Sequence, residues 1–360
     1  VDEEQGRQKI RLTLSPQAER YARRDAPREA RMMAARGALP LPPTELATVL
    51  FALMHDADAE VKSTARESLE GLPDSVIDPV LGGKCHPALL SHLAHTFKDD
   101  GQRIERLALN IATDDRTIAF LATLPCKRVV DIIANNQERM LRTPEIVESL
   151  GSNPLTGRAV IERILTFLGL DLPSDSGDDP ETREVSVSEA EAALRAVLGD
   201  DLGEFARSLV EESDDDEAID DDTTTNLYAL IQQMSIFQKV KLARLGNKEA
   251  RGLLIRDRNK IVAVAAISSP KVTDNEIAIF AKSRNVSDEV LRMISTNRNW
   301  TRNYQVKLAL VSNPKCPQTA AMKFLHFLQD TDLRHLMKSK DVPQVISTHA
   351  RRILAKKGKF

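Results

Sequence analysis

The stretch "KLALVSNPKCP", residues 307–317, repeats an earlier one, "AVAAISSPKVT", residues 263–273, with the two prolines 44 residues apart. In each, an aliphatic run meets Ser, a small polar residue, Pro and Lys. Proline cannot continue a helix and biases the residue before it away from helical backbone. A Ser or Asn in that place can close the helix end or engage nearby backbone groups. A chain that ends an apolar helix twice in this way is building the same corner twice. One short helix cannot bury its own stripe, but similar units stacked side by side share a continuous core.

Two further matches extend the pattern. "VVDIIANNQERMLRTPEIVESLGSNP" (129–154) runs beside "VLRMISTNRNWTRNYQVKLALVSNP" (290–314), and "AKSRNVSDEV" (281–290) beside "MKSKDVPQVI" (337–346). Pro154, Pro270 and Pro314 are therefore expected in turns. Ile294, Leu308, Val311, Phe324 and Leu328 are expected on buried stripes. Toward the N-terminus, "LATVLFALMHDADAEVKSTARESLEGL" (46–72) predicts two helices around an acidic turn. Its facing stripes are Leu46, Leu50, Leu53 and Met54 against Val61, Ala65 and Leu69. With 42% hydrophobic residues but only 4% aromatic ones, the chain suits aliphatic helix packing and suits β-sandwiches poorly.

Charge divides the chain. Residues 1–170 hold 22 Lys/Arg and 24 Asp/Glu, residues 171–222 hold 3 and 20, and residues 237–360 hold 25 and 9. The expectation is an all-α chain, an α-solenoid of HEAT-like helical repeats in two blocks joined by an acidic, partly disordered linker. Its parts are a flexible segment (1–29), a HEAT-like block (30–170), the acidic linker with room for a short helix or two (171–224), and a basic helical-repeat block (225–357).

The stretch 239–317, with "LGNKEARGLLIRDRNKIV" and "NWTRNYQVKLALVSNPKCP", resembles a group of uncharacterised bacterial helical-repeat proteins of deltaproteobacterial type. More broadly it is similar to the HEAT/armadillo-like superfamily. The resemblance implies the helical-repeat fold and brings no catalytic residues with it.

No P-loop, dinucleotide fingerprint or nucleophile elbow occurs in the sequence, so a non-enzymatic protein without cofactors is expected. "KCHPALLSHLAHTF" places Cys85, His86, His92 and His95 close together, with the last two on one helix face. No second ligand pair accompanies them, so packed or surface histidines are favoured over a metal site. Three cysteines, Cys85, Cys126 and Cys316, are too few and too scattered for a disulfide framework, which suits the cytoplasm. No apolar run is long enough to span a bilayer.

The expected work is binding: a scaffold that grips another protein, an acidic one being a good fit, through its repeat surfaces. The alternative is nucleic-acid or anionic-surface binding by the basic block, modulated by the acidic linker. Candidate contacts for either are Lys241, Arg244, Lys248, Arg251, Arg256, Arg258 and Lys260, with Trp300, Arg302, Tyr304 and Lys307. Trp300 and Tyr304 are favoured as packing residues over base-stacking ones.

Overall fold

The computed structural model describes residues 12–23, 25–168, 187–198, 209–210, 221–339 and 341–358. Among these, every regular element is a helix. The chain divides into two compact units, Val1–Leu155 and Thr156–Phe360.

The first unit contains α1 (Pro16–Ala22), α2 (Arg28–Ala35), α3 (Pro43–Leu53), α4 (Ala59–Glu70), α5 (Asp74–Gly82) and α6 (Pro87–Thr96). It continues with α7 (Gly101–Leu109), α8 (Asp115–Thr123), α9 (Lys127–Ala134), α10 (Gln137–Arg142) and α11 (Pro144–Ser152). Contacts run between near neighbours in the order: α3 packs on α4 and α5, α5 on α7, α7 on α9, and α8 on α11 across the short α10. All seven stripe residues of the hairpin at 46–72 are buried. Asp58 caps α4, accepting from Glu60 N at 2.9 Å, and Arg28 beside it holds its carboxyl below the usual carboxylate range. Residues 16–22, in the N-terminal segment read from sequence as frayed or weakly helical, form α1. Ser15 caps that helix and donates to Glu45 at 2.8 Å, and Ala18 is buried beneath it.

The second unit contains α12 (Arg158–Phe167), α13 (Val187–Leu198), α14 (Asp221–Gln233), α15 (Ile236–Leu245), α16 (Lys248–Leu254) and α17 (Lys260–Ile267). Then come α18 (Asp274–Lys282), α19 (Asp288–Thr296), a 3-10 turn (Trp300–Arg302), α20 (Tyr304–Ser312), α21 (Gln318–Leu325), α22 (Asp330–Lys338) and α23 (Gln344–Lys356). Here α15 packs on α16 and α17, α17 on α19, α18 on α20, and α21 on α23. Helix α12, which the sequence groups with the first block, packs on α17. Within the acidic stretch, α13 packs on α15 and buries Ala190 and Leu194, while Asn247 N donates to Leu209 O at 2.7 Å. The disorder expected for the linker falls on 171–186 and 211–220, which lie outside the described residues, while 221–224 open helix α14.

The repeated corner has a more specific purpose than ending its own helix. Pro154, Pro270 and Pro314 all lie in turns. Asn313, just before Pro314, sends its Nδ2 back to Ala281 O at 2.8 Å and Ser283 O at 3.0 Å, at the end of α18. Its Oδ1 accepts from Lys315 N at 3.0 Å. Asn153 does the same to Ala122 O and Leu124 O at the end of α8. A helix end leaves its last carbonyls without partners, and an Asn amide carries two donors that can satisfy a pair of them. Each corner thus clamps the end of a helix about 30 residues earlier. Asn110 makes a third clamp, to Leu81 O and Gly83 O, without any proline after it. In the "SSPK" corner the work is shared: Ser269 Oγ donates to Arg244 O at 2.8 Å and Lys271 Nζ to Leu245 O at 3.3 Å.

Of the five core positions expected in the second unit, Ile294, Val311, Phe324 and Leu328 are buried, but Leu308 is half-buried. Helix α20 buries Val306 and Leu310, and a residue two places from each points away from that face.

Candidate binding surfaces

In the first unit, helix α7 buries Ile104 and Leu107 and ends at Asn110, whose backbone turns extended. Because the Asn110 side chain is spent inward on its clamp, the next residue, Ile111, is thrown outward and is 82% exposed. Arg139 holds this turn from outside, donating to Thr113 O at 2.7 Å and Ile111 O at 3.1 Å. Asp115 ties it further by accepting from Arg142 Nε at 2.7 Å and Nη2 at 2.9 Å, and that guanidinium holds its carboxyl below the usual range. The exposed isoleucine therefore stands on a braced turn.

Beside it lies a groove of about 370 Å³ with Leu109, Ile118, Ile132 and Ile133 in its wall and Gln137, Glu138 and Arg139 at its polar side. Leu109 and Leu141 on α10 are also more than half exposed, at 61% and 58%. Sequence reasoning overlooked this face. The signal was partial: Leu109 falls off the Ile104–Leu107 stripe of α7, whereas Ile111 keeps the stripe's spacing and leaves it only because the helix ends at Leu109.

In the second unit the eleven candidate residues separate into three groups. Arg251 is not a surface residue. It is 1% exposed, with Nε and Nη2 on the two Glu276 oxygens at 3.0 and 3.1 Å and Nη1 on Gly246 O at 2.8 Å. Glu276 closes a capping box on Thr273, accepting from its backbone N at 2.9 Å. An external anion has no route to this guanidinium.

Lys241, Arg244 and Lys248 lie toward the α15–α16 turn, whereas Arg256, Arg258 and Lys260 lie at the far end of α16, beside the start of α17. Hydrogen bonds tie the first of these ends to the α17–α18 turn, and a separate set ties the α19–α20 turn to the α21–α22 turn. Ser269 and Lys271 tie the α17–α18 turn to the end of α15. Tyr304, at the start of α20, donates to Asp332 and accepts from Gln329 N at 3.1 Å, which ties the α19–α20 turn to the α21–α22 turn. Burial first, and then the Asp332 carboxylate, pushes the Tyr304 phenol above its ordinary value, so it stays a donor.

This turn edge gathers Lys241, Arg244, Lys248, Trp300, Arg302, Tyr304 and Lys307, while Arg256, Arg258 and Lys260 stand at the other end of α16. Arg302 is exposed and Trp300 half-buried, and Lys307 Nζ stands 5.3 Å over the ring of Phe327, itself 61% exposed. Phe327 was not singled out from sequence.

The histidine-rich stretch is occupied by structural work. His86 Nδ1 accepts from Ala88 N at 3.2 Å as the cap of α6, and Cys85 is buried. The ring of His92 lies 5.9 Å from Phe51, and that of His95 lies 3.9 Å from Phe120. Among the described residues, no three His, Cys, Asp or Glu side chains gather into a metal-binding group, and no helix is long and apolar enough to cross a membrane. In comparisons with known proteins, no family model, no curated protein and no solved structure matches this chain.

Proposed function

We propose that this protein is a non-enzymatic scaffold, an α-solenoid of HEAT-like repeats that grips a protein partner. The apolar face of α7 to α10 carries this reading. Exposed large apolar side chains grouped around a groove and rimmed by polar residues are a recurrent mark of protein interaction sites. The neighbour-to-neighbour helix contacts and the recurring asparagine clamps support the solenoid, as does the resemblance to HEAT/armadillo-like proteins. Polar groups suited to chemistry are committed elsewhere: His86 to a cap, Arg251 and Glu276 to each other. The free state of Cys85, Cys126 and Cys316 suits the reducing cytoplasm proposed as its compartment.

The test is capture of partners from nuclease-treated native lysate by the full chain, compared with an Ile111→Asp, Leu109→Asp double variant. Both side chains are mostly exposed, so folding stability should change by no more than about 0.5 kcal/mol per site. A protein retained by wild type and by Arg256→Gln, but lost by the double variant, is the expected result. Identical capture by all three forms would remove the groove from the proposal.

A further inference from the structure

We propose that the turn edge carrying Trp300 and Phe327 in the second unit binds single-stranded nucleic acid. This goes beyond the scaffold reading and uses a different surface.

Three observations carry it. First, Phe327 leaves a large aromatic surface in solvent, although a ring of this size ordinarily adds to the core of a repeat. Lys307 Nζ stands over one face of it at 5.3 Å, which sets a cation beside the exposed ring. Second, the neighbouring turn supplies Trp300 with Arg298 and Arg302, both exposed and in no ion pair among the described residues. Tyr304 fixes that turn against the Phe327 turn through Asp332 and Gln329. Third, the carboxylates of the α21–α22 turn, next to Phe327, are engaged: Asp332 accepts from Tyr304, and Asp330 pairs with Lys357 at 2.9 Å. Around Phe327 and Trp300, Lys307, Arg298 and Arg302 then leave the local charge positive.

Aromatic rings stack on any unpaired base, while arginine and lysine track the phosphates; together they give sequence-tolerant single-strand binding. A duplex keeps its bases stacked on each other and offers such rings nothing. An acidic protein segment would use the cations but would have little need of two aromatics at one edge.

The experiment is fluorescence anisotropy of the full chain with a labelled oligothymidylate, an oligouridylate and a duplex of equal length, across a salt series. Single strands should bind more tightly than the duplex. Phe327→Ala and Trp300→Ala should each weaken single-strand binding roughly fivefold or more. Arg298→Gln with Arg302→Gln should flatten the dependence of log affinity on log salt by roughly 1.4, at about 0.7 per lost phosphate contact. Arg256→Gln with Arg258→Gln, at the other end of α16, should leave that slope unchanged. Circular dichroism confirms that each variant is folded, and the exposure of Phe327 keeps its removal away from the core.

Four results would overturn the proposal. They are no binding at low salt, a duplex bound as tightly as the single strands, unaltered affinity in the folded Phe327→Ala variant, or equal displacement of the strand by polyglutamate. The last would reassign the edge to an acidic protein segment.

Discussion

Arg251 lays its Nε and Nη2 on the two carboxylate oxygens of Glu276, at 3.0 and 3.1 Å, with the side chains 1% and 3% exposed. The pair joins α16 to the first turn of α18. Removing one partner leaves the other charge buried without compensation, so Arg251→Ala or Glu276→Ala should each cost about 3–5 kcal/mol. Replacing both by apolar residues of similar volume, Arg251→Met with Glu276→Leu, should recover most of that loss. Urea unfolding of the two singles and the double checks this. Singles as stable as wild type would show that the pair is solvated in solution.

Asn313 makes the second prediction. Asn313→Ala strands the carbonyls of Ala281 and Ser283, at roughly 1–3 kcal/mol for each buried acceptor left unmade. Asn313→Asp should be worse than Ala, because a carboxylate would then face two carbonyl oxygens. Asn110→Ala, in the clamp that lacks a proline, should behave like Asn313→Ala, whereas Pro314→Ala should cost less than either. Thermal and urea denaturation rank the four. Should Pro314→Ala prove the most damaging, the corner would depend on proline geometry and the amide would be incidental.

The third prediction concerns pH. The His92 ring packs toward Phe51, and its Nε2 is buried without a hydrogen-bond partner. Burial is the main cause that pushes its pKa below the ordinary value, with Glu70 opposing and Arg66, His55 and His95 adding to the depression. The folded chain therefore holds this ring neutral while the unfolded chain takes up a proton below about pH 6.5. Its contribution to stability is fully present above that pH and is lost as pH falls through the depressed folded value. His92→Leu should flatten the slope of unfolding free energy against pH between neutrality and mild acid. Parallel slopes for wild type and variant would show that the ring is solvated.

Much of the architecture was legible in one dimension because helix punctuation and apolar spacing are local. The "SNP" and "SSP" corners, the hairpin stripes at 46–72 and the burial of Ile294 follow from proline's missing N–H and from the helical period. The charge asymmetry, likewise, is a property of the chain itself. What the corners accomplish was not legible. Asn153 and Asn313 bond to carbonyls about 30 residues away, and Asn110 does so with no proline to mark it. Only packing decides which helix end a given amide meets. The same applies to charge and exposure: a sequence shows how many cations a segment holds, not which way each points. Arg251 read as part of a basic surface and folds inward onto Glu276, while Leu308 sits on the wrong side of its helix for full burial. Phe327 and Ile111 read as ordinary apolar residues and face outward, because their turns are held by Tyr304 and Arg139 from other parts of the chain. The sequence by itself determined that the chain is helical, segmented and charge-divided, since those follow from interactions within a few residues. Which side chains are clamps, which are buried and which are offered to a partner was decided only when distant turns met.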